Sequence, residues 1–375
     1  MTLWNRLEQY FKHKQLRFLQ SFIGLDPVRP EQVDWNRIRK ILVVRQHDQL
    51  GDFLLSTPVF KALKQKFPRA ELAVVARSYT APLLENHQYV DRIILLCENG
   101  RDWTWRTLSA FIKNIRSGYD LAIVLNTVSH SLTSDLIARF SGARYVLGPD
   151  HHLFAGTDRN FFYNLLAPYQ DSPRSQSEKN LDILRYIGID AADAREYITL
   201  SEQELRWATE HLRRLGWDER KPLIAIHPGA GKMPNRWPVE NFAYVANRLV
   251  QKYSAQIYVT WGPAEEALGR ALIKQLPAPT LSSTFSHIRR VAAVLARTDL
   301  LLCNDTGIMH VGAAVGTPLV AIFGPTDPRE WKPVGDEFVA LRGRDKTVQS
   351  VRPDDVLSEA ERLLSSKTLR KKSKS

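Results

Sequence analysis

Three short stretches of the chain combine residue types and spacings suited to handling a phosphorylated ligand. The first is Asn304-Asp305-Thr306-Gly307, with His310 one turn further on. The run at 299–303 before it reads as a fully buried parallel strand, too short for a helix and bounded by polar residues. Thr306 is placed to cap the next helix, and Gly307 lets backbone N–H groups come close to a ligand. Free amides and the positive end of the helix dipole would then face a diphosphate. Gly312, Ala313, Ala314 and Gly316 would let this helix lie close to its sheet. Thr317-Pro318 ends it, 319–323 makes the next strand, and Gly324-Pro325-Thr326-Asp327-Pro328 turns the chain. His310 could face the ligand, or be a satisfied core histidine.

The second stretch is Arg45-Gln46-His47-Asp48-Gln49-Leu50-Gly51-Asp52, followed by Ser56, Thr57 and Pro58. Gly51 fits a tight strand-to-helix turn, and Asp52 falls at the helix start, where Asp often serves only as a cap. The third is His227-Pro228-Gly229-Ala230-Gly231-Lys232-Met233-Pro234-Asn235-Arg236-Trp237-Pro238. A buried strand opens into a glycine-containing loop, and Pro238 starts a helix. Loop amides with Lys232 and Arg236 could neutralise a departing diphosphate without a metal. The plainer alternative is an exposed basic loop with Trp237 packed beneath it.

These stretches need rigid elements to hold them. The 375 residues suggest two domains, and 44% hydrophobic with 25% charged residues is ordinary for a globular protein. Strands are expected over 41–44, 72–75, 93–96, 121–125 and 143–147. Helices are expected over 53–67 and 108–116, with a helical stretch at 82–86. The segment 148–177 reads as a long, partly mobile loop near the cleft. Helices at 178–186 and 202–215 lead to a second alternation: strands at 223–226, 257–260, 300–303 and 319–323, and helices at 239–253, 265–275 and 287–296. A last helix at 354–364 is expected to pack back across the first domain. Strands alternating with helices imply α/β domains with parallel, doubly wound sheets, whose ligands bind at the carboxyl ends of the strands. Boundaries are set at 1–35 for a basic amphipathic appendage, 36–200 and 201–350 for the two domains, 351–366 for the last helix and 367–375 for a basic tail.

Other chemistries find little support. No His, Cys, Asp and Glu cluster has metal-ligand spacing, His151-His152 stand without partner ligands, and neither a nucleophile elbow nor a Walker loop occurs. Cys97 and Cys303 each end an apolar run and read as free thiols of a reducing cytoplasm. No run approaches the ~20 apolar residues needed to span a bilayer, and the N-terminus lacks the pattern of a signal peptide. The net charge of 52 − 40 = +12 favours a polyanionic partner. No nucleic-acid motif is present; an anionic membrane surface or lipid is the other candidate, and part of the excess lies in the tail at 367–375, which a plain solvated reading covers. Leu3, Trp4, Leu7, Tyr10 and Phe11 recur at helical spacing among Arg6, Lys12 and Lys14. Such a helix suits a membrane interface and a surface of the protein itself equally.

Taken together and in this order, the three stretches resemble the heptosyltransferase family of bacterial lipopolysaccharide synthesis, over residues 41–364. The resemblance implies a GT-B fold of two Rossmann-like domains facing a central cleft, and inverting sugar transfer with no metal or cofactor. It implies ADP-heptose as donor and a lipid-linked saccharide such as the lipopolysaccharide inner core as acceptor, met at the inner face of the inner membrane. Carried over residue by residue, Asp52 becomes the general base, since attack of a hydroxyl on an anomeric carbon needs a group to take its proton. Lys232, Arg236, Asp305, Thr306, Gly307 and His310 fall at the donor, with Asp305 near the sugar hydroxyls. Gly51, His47, Asp48 and Gly229 are further members, and His47 and Asp48 rival Asp52 as base. The family often has a Lys one or two places before the Trp, where this chain has Asn235 and Arg236. Whether Lys232 or Arg236 meets the diphosphate stays open. A nucleotide-sugar epimerase or hydrolase, or a non-catalytic binder on the same fold, would share these features.

Overall fold

The computed structural model describes residues 20–46, 49–97, 102–128, 130–150, 159–169, 172–284 and 287–372. The expected helix before residue 20, His47 and Asp48, His151-His152 and the side chains of the tail from Lys367 lie outside the described residues.

Uninterrupted Val, Ile, Leu and Ala runs can only be buried on both faces, and they form two all-parallel sheets. The first contains β1 (Lys40–Val44), β2 (Glu71–Arg77), β3 (Arg92–Leu96), β4 (Leu121–Val124), β5 (Tyr145–Pro149) and β6 (Leu165–Ala167), in the order β3-β2-β1-β4-β5-β6. The helices between them are α1 (Leu50–Leu54), α2 (Thr57–Lys66), α3 (Trp105–Ile115) and α4 (Leu132–Phe140). Two further helices, α5 (Gln176–Arg185) and α6 (Glu202–Arg214), lead to the second sheet. That sheet contains β7 (Leu223–His227), β8 (Gln256–Trp261), β9 (Leu281–Thr284), β10 (Leu300–Asn304), β11 (Leu319–Phe323) and β12 (Phe338–Arg342), in the order β12-β11-β10-β7-β8-β9. Its helices are α7 (Val239–Tyr253), α8 (Glu266–Ile273), α9 (Ile288–Leu295), α10 (Gly307–Ala314), the single turn α11 (Pro328–Trp331) and α12 (Pro353–Lys372).

Counted from its own first strand, each sheet therefore has the same order. Each reverses direction once, between β1 and β4 in the first and between β7 and β10 in the second. Ligands of such sheets bind beyond the strand ends at that reversal. The three stretches singled out above follow β1, β7 and β10.

Several expectations need correction. The helix expected over 53–67 is two helices: α1 starts earlier and contains Asp52, and the chain breaks before Pro58, which cannot donate to a preceding carbonyl. Ser56 and Thr57 hydroxyls instead bond back to Phe53 O (2.6 Å) and Leu54 O (2.7 Å). The segment taken for a loop at 148–177 holds β6, and Phe161, Phe162 and Tyr163 within it are fully buried. The last helix stays on the second domain, where Val356, Ala360, Leu363 and Leu364 join Leu300, Val320 and Phe242 in one core. The stretch at 82–86 is a short 3-10 turn, Ala81–Leu84.

The closeness of the corner helix to its sheet follows expectation: a Cβ on Gly312 would come 2.5 Å from Leu301 Cδ2. One apolar cluster runs through both domains, from Phe53 and Leu54 through Leu181 and Ile198 to Leu295 and Met309. Buried Arg289 on α9 adds a polar tie, donating to Pro82 O of the first domain (3.1 Å) and to Thr199 O (2.9 Å) while paired with Glu204.

Gly148 on β5 leaves the space filled by the Tyr163 ring, 2.3 Å from where a Cβ would stand. Gly148→Ala is expected to cost about 1–3 kcal/mol of stability by overpacking, read as a lower midpoint of denaturant unfolding. An unchanged midpoint would mean that the ring moves freely.

Candidate active site

Asp52 is the third residue of α1, half-buried, and accepts from the N–H of Gln49 (3.3 Å). It is not the N-cap of its helix, a position held by Gln49, but reaches back from the third helical position to the Gln49 amide. Arg45, buried at the end of β1, donates to the main-chain oxygens of Asp52 (2.9 Å) and Leu125, which ties the start of α1 to β4. Gln46 bonds the hydroxyls of Ser131 (3.1 Å) and Ser134 (3.0 Å) at the start of α4.

Across the cleft, α10 begins at Gly307 with Thr306 in the cap position. The Thr306 side chain makes no capping hydrogen bond, contrary to expectation. Met309 N donates to Thr306 O (3.0 Å), and the amides of Gly307 and Ile308 ahead of it are left to a ligand or solvent. Asp305 is held by Asn235 Nδ2 (3.2 Å). Burial raises its pKa above the usual carboxylate range, against the opposing influence of Thr326, His310 and Lys232.

Helices α1 and α10 meet directly. A Cβ on Gly51 would lie 2.6 Å from Cδ2 of His310, and one on Gly307 would lie 3.1 Å from the Leu50 Cβ. The glycine before Asp52 is thus required by the His310 ring, and not by the expected strand-to-helix turn, since Gly51 lies within α1 with an ordinary helical backbone. His310 is buried, and its Nδ1 is 3.0 Å from both carboxylate oxygens of Glu196, whose side chain is fully buried on the segment joining the domains. A carboxylate can only accept, so Nδ1 carries the proton. Burial opposes a charge on the ring. Glu196 outweighs it, with help from Asp305 and Asp52, so the pKa of His310 is raised above its ordinary value.

The loop after β7 is pinned to the same corner. Asn304, fully buried at the end of β10, donates to Pro228 O (2.9 Å) and Gly229 O (3.2 Å) and accepts from Trp237 N (3.0 Å). Trp237 is buried beneath the loop. Arg236 donates from Nε to Ala230 O (2.9 Å), closing the loop on itself, while Lys232 is exposed and acts electrostatically on Asp305. Gly229 faces the Glu265 carboxylate, which a Cβ would meet at 2.1 Å. Glu265 also accepts from Gly262 N (3.1 Å) and lies 3.4 Å from His227 Nε2. Burial of His227 lowers its pKa, although Glu265 and Thr260 oppose this.

Gly51, Asp52 and Asp305 thus gather around His310, Gly307 packs on Leu50 beside them, Lys232 acts through Asp305, and Asn304 at the end of β10 holds Gly229. Arg236 braces the loop rather than projecting from it. Reading the sequence did not single out Glu196 or Glu265, and it gave Asn304 and Asn235, which lie within the stretches, no role of their own. Asn304 left a trace, as a polar residue ending a wholly apolar strand. Glu196 left none, because its partner lies 114 positions away.

A profile of glycosyltransferase family 9 (heptosyltransferase) matches residues 108–359. Lipooligosaccharide heptosyltransferase 2 of Haemophilus influenzae is 25% identical over 327 residues, 82% of this chain and 89% of that protein. Lipopolysaccharide heptosyltransferase 3 of Escherichia coli K12 is 25% identical over 339 residues, 84% of this chain and 95% of that protein. A glycosyl transferase family 9 structure from Veillonella parvula superposes with a TM-score of 0.76 at 23% identity, covering 87% of this chain and 97% of that one. An E. coli heptosyltransferase solved with ADP gives 0.70 at 20% identity, covering 86% and 99%.

Since His310 gains a partner on folding, its folded-state pKa exceeds the unfolded one. The stabilisation is therefore fully present below about pH 6.5 and is lost as pH rises through the folded-state value. Glu196→Gln should accordingly destabilise the protein more at about pH 6 than at about pH 9. A stability difference that is constant across this range in denaturant titrations would contradict a charged His310.

Proposed function

As the chain belongs to glycosyltransferase family 9, the heptosyltransferase family, we propose that it moves a heptose from ADP-heptose to a saccharide of the lipopolysaccharide core, with inversion at the anomeric carbon and without a metal. The observation that carries this reading is the meeting of α1 and α10, which sets the carboxylate of Asp52 opposite a helix start suited to a diphosphate. Relatives that are heptosyltransferases of lipooligosaccharide or lipopolysaccharide support the acceptor class, and the related E. coli structures solved with ADP and with ADP-2-deoxy-2-fluoro heptose support the donor.

In this mechanism an acceptor hydroxyl attacks the anomeric carbon as its bond to the diphosphate oxygen breaks. The proton passes to Asp52, which is worth about 10²–10⁴-fold in rate for a well-placed base. Negative charge grows on the departing diphosphate, where the first amides of α10, Lys232 and the His310 imidazolium receive it. Asp305 is placed to accept from sugar hydroxyls. Glu265 follows β8, the strand beside β7, where an acidic residue in such sheets takes the ribose hydroxyls of a nucleotide. Of the two cations left open by the sequence, Lys232 is assigned to the diphosphate, because the Arg236 guanidinium is engaged with its own loop.

Calorimetric titration with ADP, UDP, GDP and CDP in a chelating buffer tests the donor assignment. ADP is expected to bind selectively, and Lys232→Ala to weaken it about tenfold, the scale of one charge-assisted hydrogen bond. Preference for another nucleotide would replace the donor, and unchanged affinity in Lys232→Ala would remove that side chain from the diphosphate.

A further inference from the structure

Helices α3 and α4 pack on one face of the first sheet: Phe111 and Ile115 from α3, and Leu136 and Ile137 from α4, enter one cluster with Leu42, Val44 and Ala122. Their outer sides carry large apolar side chains among polar ones. Trp105 is 88% exposed and Ile112 43%, at i and i+7 on one stripe of α3. Leu132 (44%) and Phe140 (46%) stand at i and i+8 on α4. Large apolar side chains on a water-facing stripe of two neighbouring helices form a patch of the kind that marks an interaction surface. Ile23 and Leu25 pack against the same cluster, and Phe22 beside them is 70% exposed.

Charge indicates what covers this patch. Residues 103–119 contain Arg106, Lys113 and Arg116, all exposed, and no Asp or Glu, with exposed Asp102 and half-buried Asp120 flanking them. An exposed Trp with aliphatic neighbours and an excess of cations suits the headgroup region of an anionic bilayer, where aromatic rings settle and Lys and Arg are attracted to the surface charge. No helix among the described residues is long and apolar enough to cross a membrane, so the patch would lie on the bilayer. Trp105 and Leu132 are the first residues of helices that follow β3 and β4, and in a parallel sheet these ends lie at the same pole as Asp52, which follows β1.

We propose that the outer face of α3 and α4 docks on an anionic lipid surface, holding the mouth of the cleft against the membrane in which a lipid-linked acceptor is anchored. The purpose of docking rests on the transferase reading, whereas the surface itself can be tested without any acceptor.

Full-length protein is sedimented with acceptor-free vesicles of phosphatidylcholine, with or without about one third phosphatidylglycerol. The wild type is expected to bind the anionic vesicles, and Trp105→Ser/Ile112→Ser to bind them about tenfold or more weakly. Arg106→Ser/Lys113→Ser should abolish the preference for anionic over neutral lipid. ADP affinity and oligomeric state should not change in either variant. Absence of vesicle binding by the wild type, or wild-type binding by both double variants, would overturn the proposal. So would a wild-type dimer that Trp105→Ser/Ile112→Ser dissociates, since a second copy would then cover the face. Loss of ADP selectivity with vesicle binding intact would strike the transferase reading alone.

Discussion

The contact on which the site depends is a histidine ring laid against a glycine of the other domain. His310 on α10 occupies the space where a Gly51 side chain would stand, and Glu196 grips its other edge from the connecting segment. Three separate parts of the chain therefore meet at one buried imidazole. The consequences are geometric first: Gly51 can carry no side chain, so α1 approaches α10 closely enough for Asp52 and Asp305 both to act on the ring. They are also electrostatic, because Glu196, Asp305 and Asp52 together favour the protonated form of a ring that burial alone would keep neutral.

Around that contact the two sheets serve as mirrored supports. Each has its single reversal facing the cleft, and buried polar side chains fix the loops that leave it: Arg45 and Gln46 on the first domain, and Asn304 on the second. Satisfied buried polar groups rigidify what they hold, because moving the loop would leave donors and acceptors unpaired in a dry interior. The apolar cluster shared by both domains and the Arg289 bridge extend this rigidity across the interface.

Much of this was legible in the sequence, for local reasons. Wholly apolar strands broken by Gly, Asp and Asn announce both the parallel sheets and the strand ends where ligands bind, so the stretches at 45–52, 226–238 and 304–310 could be placed. Two of the strands that escaped notice are short or weakly apolar, since β6 has three residues and β9 reads Leu-Ser-Ser-Thr, whereas the edge strand β12 reads Phe-Val-Ala-Leu-Arg and left a signal that went unread. Helix α4 carries its apolar residues on both its buried and its exposed side, which hides the pattern. The roles of Glu196, and of Arg236 as a brace, depend on contacts made only in three dimensions. No spacing in the sequence distinguishes a lysine that faces the cleft from an arginine folded onto its own loop.

The decisive measurement is single-turnover transfer of heptose from ADP-heptose to a soluble, truncated core acceptor by Asp52→Asn beside the wild type, with ADP affinity measured on the same samples. If Asp52 is the base and the nucleotide is held by the opposite domain, ADP affinity should stay within about twofold while transfer falls by about a hundredfold or more. Transfer near the wild-type rate would show that Asp52 only holds the Gln49 amide at the start of its helix.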